Sequence, residues 1–321
     1  MKISILVAIY NSSWSQIRRT LISILNQEFK DIEIIVTDDG SKNNFSKNIE
    51  QLFAKYNFSN YKMIFNKVNK GTLRNFYQAS LLASGKYLKP IGAGDLLYGP
   101  KTLKNVINYM EENDFNSCFG LTKKFYIEEE GEIRIKEFRN PRLLKPYIKN
   151  DEKIILRNTF FGDRPYGCAM FFKTSYIQKY WKEMCDKTKV LYCEDIVNIQ
   201  MALDKEIMPF FPEYVVWYEM NTGVSKSANK STNDLINKDI RAYLDYLQIK
   251  YEDKQEILKL KRWLNFTEKF PQNKKRVLNY YRMPSKFLFE LYIRRKEIAD
   301  YKRYSTVGFL ENQKYKNEFI R

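Results

Sequence analysis

Four short polar segments hold the side chains best suited to chemistry in this chain. They lie at residues 8–11, 37–41, 69–75 and 94–95, and a Glu194-Asp195 pair follows about a hundred residues later. The chain has no histidine, which excludes Ser-His and Cys-His nucleophile pairs and every histidine-based zinc site. Acid and base chemistry must therefore come from carboxylates, tyrosine or lysine.

The elements around these segments predict an α/β fold. Apolar, β-branched runs predict strands at residues 2–9, 32–36, 61–65 and 87–91, and helical spacing between them predicts helices. This alternation is typical of a mostly parallel central sheet flanked by helices. Ligands bind beyond the carboxyl ends of such strands, where all four polar segments fall. A single segment such as 38–41 is more often a turn, but four in order favour a binding site.

The second half of the chain has a less regular pattern. It predicts a helix from Pro100 to about residue 112, a strand at 115–127, helices after Thr174 and Asp195, and a strand at 208–217. Residues 128–158 mix charges, prolines and short apolar pieces, which predicts an insertion or mobile loop. Beyond residue 225 the pattern is helical only.

The ordered set of segments resembles the nucleotide-binding half of family 2 glycosyltransferases, which have the GT-A fold. The resemblance is carried by residues 3–11, 38–41 and 69–75 and by Asp95 with Pro100, and Glu194-Asp195 resembles the family's acceptor-side acidic motif. We therefore expect a catalytic domain at residues 1–225, with a nucleotide-binding half at 1–100 and an acceptor half at 101–225. Residues 226–321 are expected to form a C-terminal basic, aromatic-rich helical extension, here called the tail.

The resemblance implies roles for residues of the four segments. Tyr10 would pack on the nucleotide base, and Asp39 would accept a hydrogen bond from a base N–H, because a carboxylate only accepts. Asn69, Gly71 and Arg74 would approach the ribose or diphosphate, since glycine permits close contact and arginine matches phosphate geometry. The alternative for Arg74 is an ordinary solvated helix residue. The complete nucleotide-binding set is Ala8, Tyr10, Asp39, Asn69, Gly71, Arg74 and Gly94.

The chain departs from the family at the metal motif. Family members usually have Asp-x-Asp here, whereas this chain has Gly92-Ala93-Gly94-Asp95, so Asp95 is the only carboxylate of the motif. A divalent cation, Mg²⁺ or Mn²⁺, is still expected at Asp95, because one carboxylate with diphosphate oxygens and waters can hold it. The alternative is metal-independent binding, with lysine or arginine neutralising the diphosphate.

The resemblance also implies the reaction. It is an inverting transfer of a sugar from a nucleotide-diphosphate sugar, with a UDP-sugar favoured, to an acceptor hydroxyl. Asp195 would be the general base that takes the hydroxyl proton, with Glu194 beside it; the alternative is that these acids only cap a helix. Residues 167–169 are small and are expected to form a strand that admits the acceptor, although core packing explains them equally well. The acceptor is expected to be a glycan, such as a lipid-linked precursor of a bacterial surface polysaccharide.

The net charge of +17 calls for an anionic partner. Residues 251–321 carry 18 Lys and Arg against 9 Asp and Glu, interleaved with aromatic residues, which is typical of helices on an anionic membrane surface. The alternative is a tail that packs on the catalytic domain or on a second copy in a homodimer. The sequence has no bilayer-spanning apolar run and no signal-peptide pattern, so we expect a peripheral protein on the cytoplasmic face of the cell membrane.

Two other functions are compatible with the sequence. A basic nucleic-acid-binding protein would explain the charge, but no zinc spacing or RNP-like motif is present, so no nucleic acid partner is expected. A catalytically inactive relative that binds sugar nucleotides would explain the shortened metal motif. Release of free nucleoside diphosphate from a nucleotide sugar separates the enzyme from both alternatives.

Overall fold

The computed structural model describes residues 3–128, 132–137, 140–160, 162–220, 230–252, 255–267, 288, 308–312, 315 and 318–319. Strands and helices alternate through the first part, as β1 (Ile3–Ile9), α1 (Trp14–Leu25), β2 (Ile32–Asp38), α2 (Ser46–Lys55), β3 (Tyr61–Phe65), α3 (Thr72–Ser80) and β4 (Tyr87–Gly92). These bounds lie within a few residues of the predicted ones, because buried strands and amphipathic helices have local patterns. The predicted α/β fold is confirmed.

The second part of the chain mixes shorter elements. They are β5 (Leu96–Leu97), α4 (Thr102–Glu112), β6 (Ser117–Ile127), β7 (Ile133–Glu137), α5 (Lys145–Ile148), α6 (Glu152–Phe160), β8 (Met170–Lys173), α7 (Thr174–Lys187), α8 (Val197–Leu203), β9 (Phe210–Glu219), α9 (Lys230–Lys250) and α10 (Gln255–Thr267). Short 3-10 helices, Gly167–Ala169 and Glu194–Ile196, precede β8 and α8. The strand expected at residues 167–169 is therefore wrong, since β8 begins only at Met170.

One sheet joins both halves of the chain. Its strands lie in the order β3-β2-β1-β4-β8-β6-β9-β5, and β7 pairs with β6 outside this path. The four strands β1 to β4 are parallel, and β8 is antiparallel to both of its neighbours, β4 and β6. Strands β6 and β9 are parallel, so the carboxyl ends of β1, β2, β4, β6 and β9 point to the same edge of the sheet. Loops from both halves can meet there.

The interpretation of residues 128–158 as a mobile loop is wrong for most of that segment, and the alternative of an insertion stays a prediction. It contains β7, which forms a hairpin with β6, and the helices α5 and α6. The short apolar pieces bury Leu144, Tyr147 and Ile155 in the core. Such pieces are too short to show a period of their own, so their burial depends on the sheet that they cover.

Helix α1 begins with a capping box that fixes its start after β1. The Ser13 side chain accepts the N–H of Gln16 at 3.3 Å, and the Gln16 side chain accepts the N–H of Ser13 at 3.0 Å. The helix buries an apolar face against the sheet, while Gln16, Arg19 and Thr20 donate hydrogen bonds at the carboxyl edge. The helix thus brings polar side chains to the candidate site.

The described parts of the tail belong to the core of the molecule. Helix α9 buries Tyr243, Leu244 and Leu247, and α10 buries Ile257, on the sheet face covered by α3, α7 and α8. On the other face, under α1, α2 and α4, the core includes Phe309, Leu310 and Phe319. These residues of the tail therefore pack on the catalytic domain, as one of the alternatives for the tail predicted. Residues 221–229 and most of 268–307 lie outside the described residues. In the described part of the chain, no helix is long and apolar enough to cross a membrane.

Candidate active site

The loops that follow β1 and β2 are joined by hydrogen bonds. The N–H of Asn11 donates to Ser41 Oγ at 2.8 Å, and Asn11 Oδ1 accepts the N–H of Lys42 at 3.0 Å. Asp38 Oδ1 accepts the N–H of Ser41 at 2.7 Å. Next to this network, half of the Tyr10 side chain is exposed. An exposed ring at this edge suits base stacking, and that role for Tyr10 stays a prediction.

Asp39 holds the loop that follows β3. Its carboxylate is buried and accepts the N–H groups of Lys70 at 2.8 Å and Gly71 at 2.9 Å, while Asn69 Oδ1 accepts the Gly71 N–H at 2.9 Å. Burial raises the pKa of Asp39, although these N–H groups act in the opposite direction. A carboxylate has about four acceptor positions, so Asp39 can still accept the predicted base N–H.

Gly71 is required by the protein's own packing. Its φ is +87°, and a Cβ there would lie 2.6 Å from the Leu191 carbonyl oxygen and 2.9 Å from Leu191 Cβ. The N–H of Leu73 donates to the same carbonyl oxygen at 2.9 Å. The predicted contact with ribose or diphosphate is therefore not needed to explain this glycine. The loop after β3, residues 66–71, is here called the donor-side loop. It packs on Leu191, which lies three residues before Glu194.

Arg74 contacts main-chain carbonyl groups. Its Nη1 donates to the Val190 oxygen at 2.9 Å and its Nη2 to the Cys185 oxygen at 3.4 Å. The guanidinium thus ties α3 to the end of α7 and the loop after it, and the side chain is half-buried rather than solvated. This contact gives Arg74 a structural role, and diphosphate binding by Arg74 stays a prediction.

The turn after β4 brings Ala8, Gly94 and Asp95 together. The Ala8 carbonyl oxygen accepts the N–H of Ala93 at 2.9 Å, and the N–H of Gly94 donates to Thr20 Oγ1 at 2.9 Å. Gly94 has a φ of +110°, and a Cβ there would clash with the Glu219 carboxylate. Position 94 therefore favours glycine because of its positive φ, and any Cβ there would also displace the Glu219 carboxylate.

Asp95 and Glu219 form a buried acidic pair at the ends of β4 and β9. Asp95 Oδ1 accepts the N–H of Glu219 at 3.0 Å. Burial raises the pKa of Asp95 to about 8, and the Glu219 N–H opposes this shift. Glu219 accepts Arg19 Nη2 at 2.7 Å and Gln16 Nε2 at 3.0 Å. Sequence reasoning missed Glu219, although an acid at the carboxyl end of a strand was an available signal.

Lys89 is fully buried on β4, close to the acidic pair. Its Nζ donates to the carbonyl oxygens of Cys168 and, at 3.3 Å, Met170. Burial lowers the pKa of Lys89 to about 8, and the carboxylate of Asp95 acts in the opposite direction. The site therefore contains a positive group that sequence reasoning did not identify.

Asp95 suits a divalent cation when a diphosphate supplies further ligands. Within the described ranges, no group of three or more His, Cys, Asp and Glu side chains could hold a metal. The oxygens of Glu219 already accept hydrogen bonds from Arg19 and Gln16. One carboxylate with diphosphate oxygens and waters is nevertheless a ligand set that Mg²⁺ accepts. Because burial raises the pKa of Asp95 to about 8, the residues present fit a cation that binds together with the donor and displaces the Asp95 proton.

Glu194 and Asp195 lie in a 3-10 helix directly before α8. The N-cap of α8 is Ile196, so neither acid caps that helix. Gly167 packs against both acids, because a Cβ on Gly167 would lie 2.8 Å from Glu194 Oε1 and 3.3 Å from Asp195 Cβ. Burial, and then the adjacent Asp195, raise the pKa of Glu194 above its usual range. Burial thus makes the charged form of Glu194 less favourable, and the role of Asp195 as base stays a prediction.

Asp239 on α9 supports residues 191–193, which directly precede Glu194 and Asp195. Its buried carboxylate accepts three successive N–H groups, from Leu191 at 3.1 Å, Tyr192 at 2.6 Å and Cys193 at 3.0 Å. Hydrogen bonds to a carboxylate are roughly twice as strong as neutral ones. Sequence reasoning missed Asp239, because an acid on an amphipathic helix usually faces solvent. The predicted tail thus contributes to the site.

Comparison with known proteins identifies the family that has this arrangement. The model for Glycosyl transferase family 2 matches residues 4–179, more than half of the chain. An uncharacterized glycosyltransferase of Haemophilus influenzae is 24% identical over 246 residues, which are 76% of this chain and 73% of the relative. The GalNAc(5)-diNAcBac-PP-undecaprenol beta-1,3-glucosyltransferase of Campylobacter jejuni is 28% identical over 176 residues, 52% of this chain and 56% of the relative.

A solved structure gives the same fold. TarS of S. aureus in complex with UDP-GlcNAc aligns with a TM-score of 0.59 at 16% sequence identity, over 93% of this chain and 82% of that chain. At this identity the likeness shows the fold alone, and it confirms the predicted GT-A architecture.

We expect Asp239→Asn to lower the rate of sugar transfer by about tenfold to a hundredfold. An amide in place of the carboxylate turns one acceptor into a donor that faces backbone N–H groups, and small displacements of catalytic groups have effects of this size. Steady-state rates of nucleotide release measure the effect. Asp245→Asn is the matched control, because Asp245 lies on the same helix and its side chain is 63% exposed. Equal rates for the two variants would show that Asp239 does not position Glu194 and Asp195.

Proposed function

The chain belongs to glycosyltransferase family 2 and is a glycosyltransferase, and from this premise we propose an inverting transfer from a UDP-sugar to a hydroxyl of a lipid-linked glycan. The observation that carries the proposal is that one segment, around Leu191, supports both the donor-side loop and the Glu194-Asp195 pair. Leu191 contacts Gly71 on one side and lies three residues before Glu194 on the other. A nucleotide bound at the donor-side loop and an acceptor hydroxyl bound at Asp195 would then be positioned by the same segment.

The donor is proposed to be a uridine nucleotide. The exposed ring of Tyr10 would stack on the base, and Asp39 would accept the imide N–H of uracil in addition to its two loop contacts. TarS, which has the same fold, is solved with UDP-GlcNAc. That complex supports uridine for this chain, whereas the identity of the sugar is left to experiment.

The transfer is proposed to be a single displacement at the anomeric carbon. The acceptor oxygen forms a bond to that carbon while the bond to the donor diphosphate breaks, and the configuration inverts. The hydroxyl proton passes to the carboxylate of Asp195, and UDP leaves with the bonding electrons. Glu194, whose pKa burial raises, keeps its proton and does not compete as a base. A divalent cation, when bound at Asp95, would neutralise charge on the leaving diphosphate.

The acceptor is proposed to be a lipid-linked glycan of the bacterial cell envelope. The Campylobacter relative is named for a substrate linked through a diphosphate to undecaprenol, which supports this class of acceptor here. Such an acceptor would place the enzyme at the cytoplasmic face of the cell membrane. The positive balance of residues 251–321 and the exposed side chains of Lys259 and Arg262 on α10 support contact with an anionic surface.

Asp195→Asn is expected to reduce UDP release from a UDP-sugar by about two to four powers of ten, the usual contribution of a general base. Affinity for UDP should stay close to that of the wild type, because Asp195 contacts the acceptor. Asp186→Asn is the control, since Asp186 is exposed on α7 and forms an ion pair with Lys182. Wild-type turnover in Asp195→Asn would remove this residue from the mechanism, and no turnover in the wild type would favour the inactive relative.

UDP is expected to raise the melting temperature, and to raise it further when Mg²⁺ or Mn²⁺ is present. Asp95→Asn should remove the metal-dependent part of the shift and keep the part due to UDP alone. Calorimetry should show weak binding of either metal to the free protein, because one carboxylate holds it poorly. An unchanged shift and full activity in excess chelator would support metal-independent binding instead.

The full chain is expected to sediment with anionic vesicles at low salt, and Lys259→Gln with Arg262→Gln should weaken this binding. Each basic residue near such a surface contributes about 1 kcal/mol, so the double variant should bind about 30-fold more weakly. Lys101→Gln, directly before α4, with Lys104→Gln on α4 removes the same charge from exposed positions and serves as the control. Truncation is unsuitable because it removes the buried side chains of Ile257 and Phe309. If the full chain does not bind the vesicles, the tail is a packing or dimerisation element.

A further inference from the structure

A row of side chains crosses three neighbouring strands at the carboxyl edge. Lys124 on β6 lies opposite Lys136 on β7 and opposite Tyr218 on β9. Residues that lie opposite each other in a sheet point to the same face, and like charges in this arrangement repel. Lys124 and Lys136 therefore bring two positive charges to the same face of the sheet at this edge.

This row leads to the catalytic base. Lys124 Nζ is 5.7 Å from the centre of the Tyr218 ring, and that ring is 6.2 Å from the ring of Tyr166. Tyr166 directly precedes Gly167, which packs against Asp195. Burial lowers the pKa of Lys124, and the charges of neighbouring cations lower it further. The row thus places positive charge next to the acceptor side of the site.

Two arginines extend the positive charge. Burial raises the pKa of the Tyr166 hydroxyl to about 12. The positive charges of Arg142 and Arg164 act in the opposite direction. The Nε of Arg164 is buried and has no hydrogen-bond partner among the described residues. Asp163 lies beside Arg142, but its oxygens accept the N–H groups of Arg142 at 2.6 Å and Leu143 at 3.2 Å. A buried guanidinium N–H without a partner is costly, so Arg164 would gain a hydrogen bond from an anion that binds beside it.

We propose that Lys124, Lys136, Arg142 and Arg164 bind a phosphate group of a substrate, in a subsite that adjoins Asp195. The inference rests on the proposed function, because it assumes that a phosphate-bearing substrate occupies this site. Ammonium and guanidinium groups recognise phosphate through charge-assisted hydrogen bonds. The shortened metal motif increases the need for such groups, since Asp95 is the only carboxylate left to hold a neutralising cation.

Two substrates could supply the phosphate. One is the diphosphate of the donor, because Glu219 next to Tyr218 contacts Asp95 through its main-chain N–H. The other is a phosphate or diphosphate group on the acceptor, because Tyr166 lies beside the residues that would receive the acceptor hydroxyl. The chemistry of recognition is the same in both cases, and binding experiments separate them.

Calorimetric titration with UDP and with inorganic pyrophosphate tests the subsite. Lys124→Gln and Lys136→Gln should each weaken binding of at least one probe by about 10-fold to 100-fold, the range for a hydrogen bond to a charged group. Lys124→Arg should restore most of the affinity, because it keeps the charge. Lys104→Gln, an exposed lysine on α4, should stay within about twofold of the wild type. Equal melting temperatures would show that the variants are folded.

The two probes distinguish the sources of the phosphate. If the subsite serves the donor, Lys124→Gln loses affinity for UDP and pyrophosphate but keeps its affinity for uridine. If the subsite serves the acceptor, UDP affinity is unchanged, and pyrophosphate binds to the UDP-saturated wild type but not to Lys124→Gln. Either result supports the proposal.

A third result overturns the proposal. If Lys124→Gln and Lys136→Gln bind both probes as Lys104→Gln does, these lysines hold no phosphate, and UDP binding by the wild type leaves the proposed function standing. If the wild type binds pyrophosphate through Lys124 but does not bind UDP, the subsite stands and the assignment of a UDP-sugar donor fails.

Discussion

The carboxylate of Asp239 makes the contact on which both halves of the active site depend. It accepts the N–H groups of residues 191–193 and so fixes Leu191, which packs against Gly71 in the donor-side loop. Glu194 follows directly in the chain. Each buried N–H left without a partner costs about 1 to 3 kcal/mol, whereas whole domains are stable by only about 5 to 15 kcal/mol. The hydrogen bond from Cys193 is buried and those from Leu191 and Tyr192 are partly buried, so the loss of this carboxylate would remove a noticeable share of that stability.

Four buried ionisable groups at the carboxyl edge form a second constraint. Arg19 and Glu219 form an ion pair at 2.7 Å, and Asp95 lies between Glu219 and Lys89 in the interior. The pKa of Asp95 rises and that of Lys89 falls, both to about 8, so burial makes the charged form of each group less favourable. Buried charges persist only when they are paired or neutralised. Arg19 supplies the positive charge beside Glu219, and Lys89 supplies the one that acts on Asp95.

The sequence was most informative where structure is local. Strands β1 to β4 and their helices could be predicted because each buries a periodic apolar pattern, and the polar segments after them could then be placed at one edge. The predicted reason for Gly71 was incomplete, since Leu191 approaches this glycine from a distant part of the chain. Asp239 could not be predicted, because its role exists only when α9 packs beside residues 191–193.

The tail shows why charge pattern alone does not define a domain. Its basic residues suggested a segment separate from the catalytic domain, yet Ile257 lies in one core and Phe309 and Phe319 lie in the other. Burying an aromatic or aliphatic side chain of this size stabilises the fold by about 1.5 to 3 kcal/mol. Glu318 adds hydrogen bonds, accepting from Arg18 at 3.0 Å through its carbonyl oxygen and from Asn26 at 3.2 Å through its carboxylate. The described residues of the tail are therefore part of the folded enzyme, and a boundary drawn at residue 225 from charge alone would divide both cores.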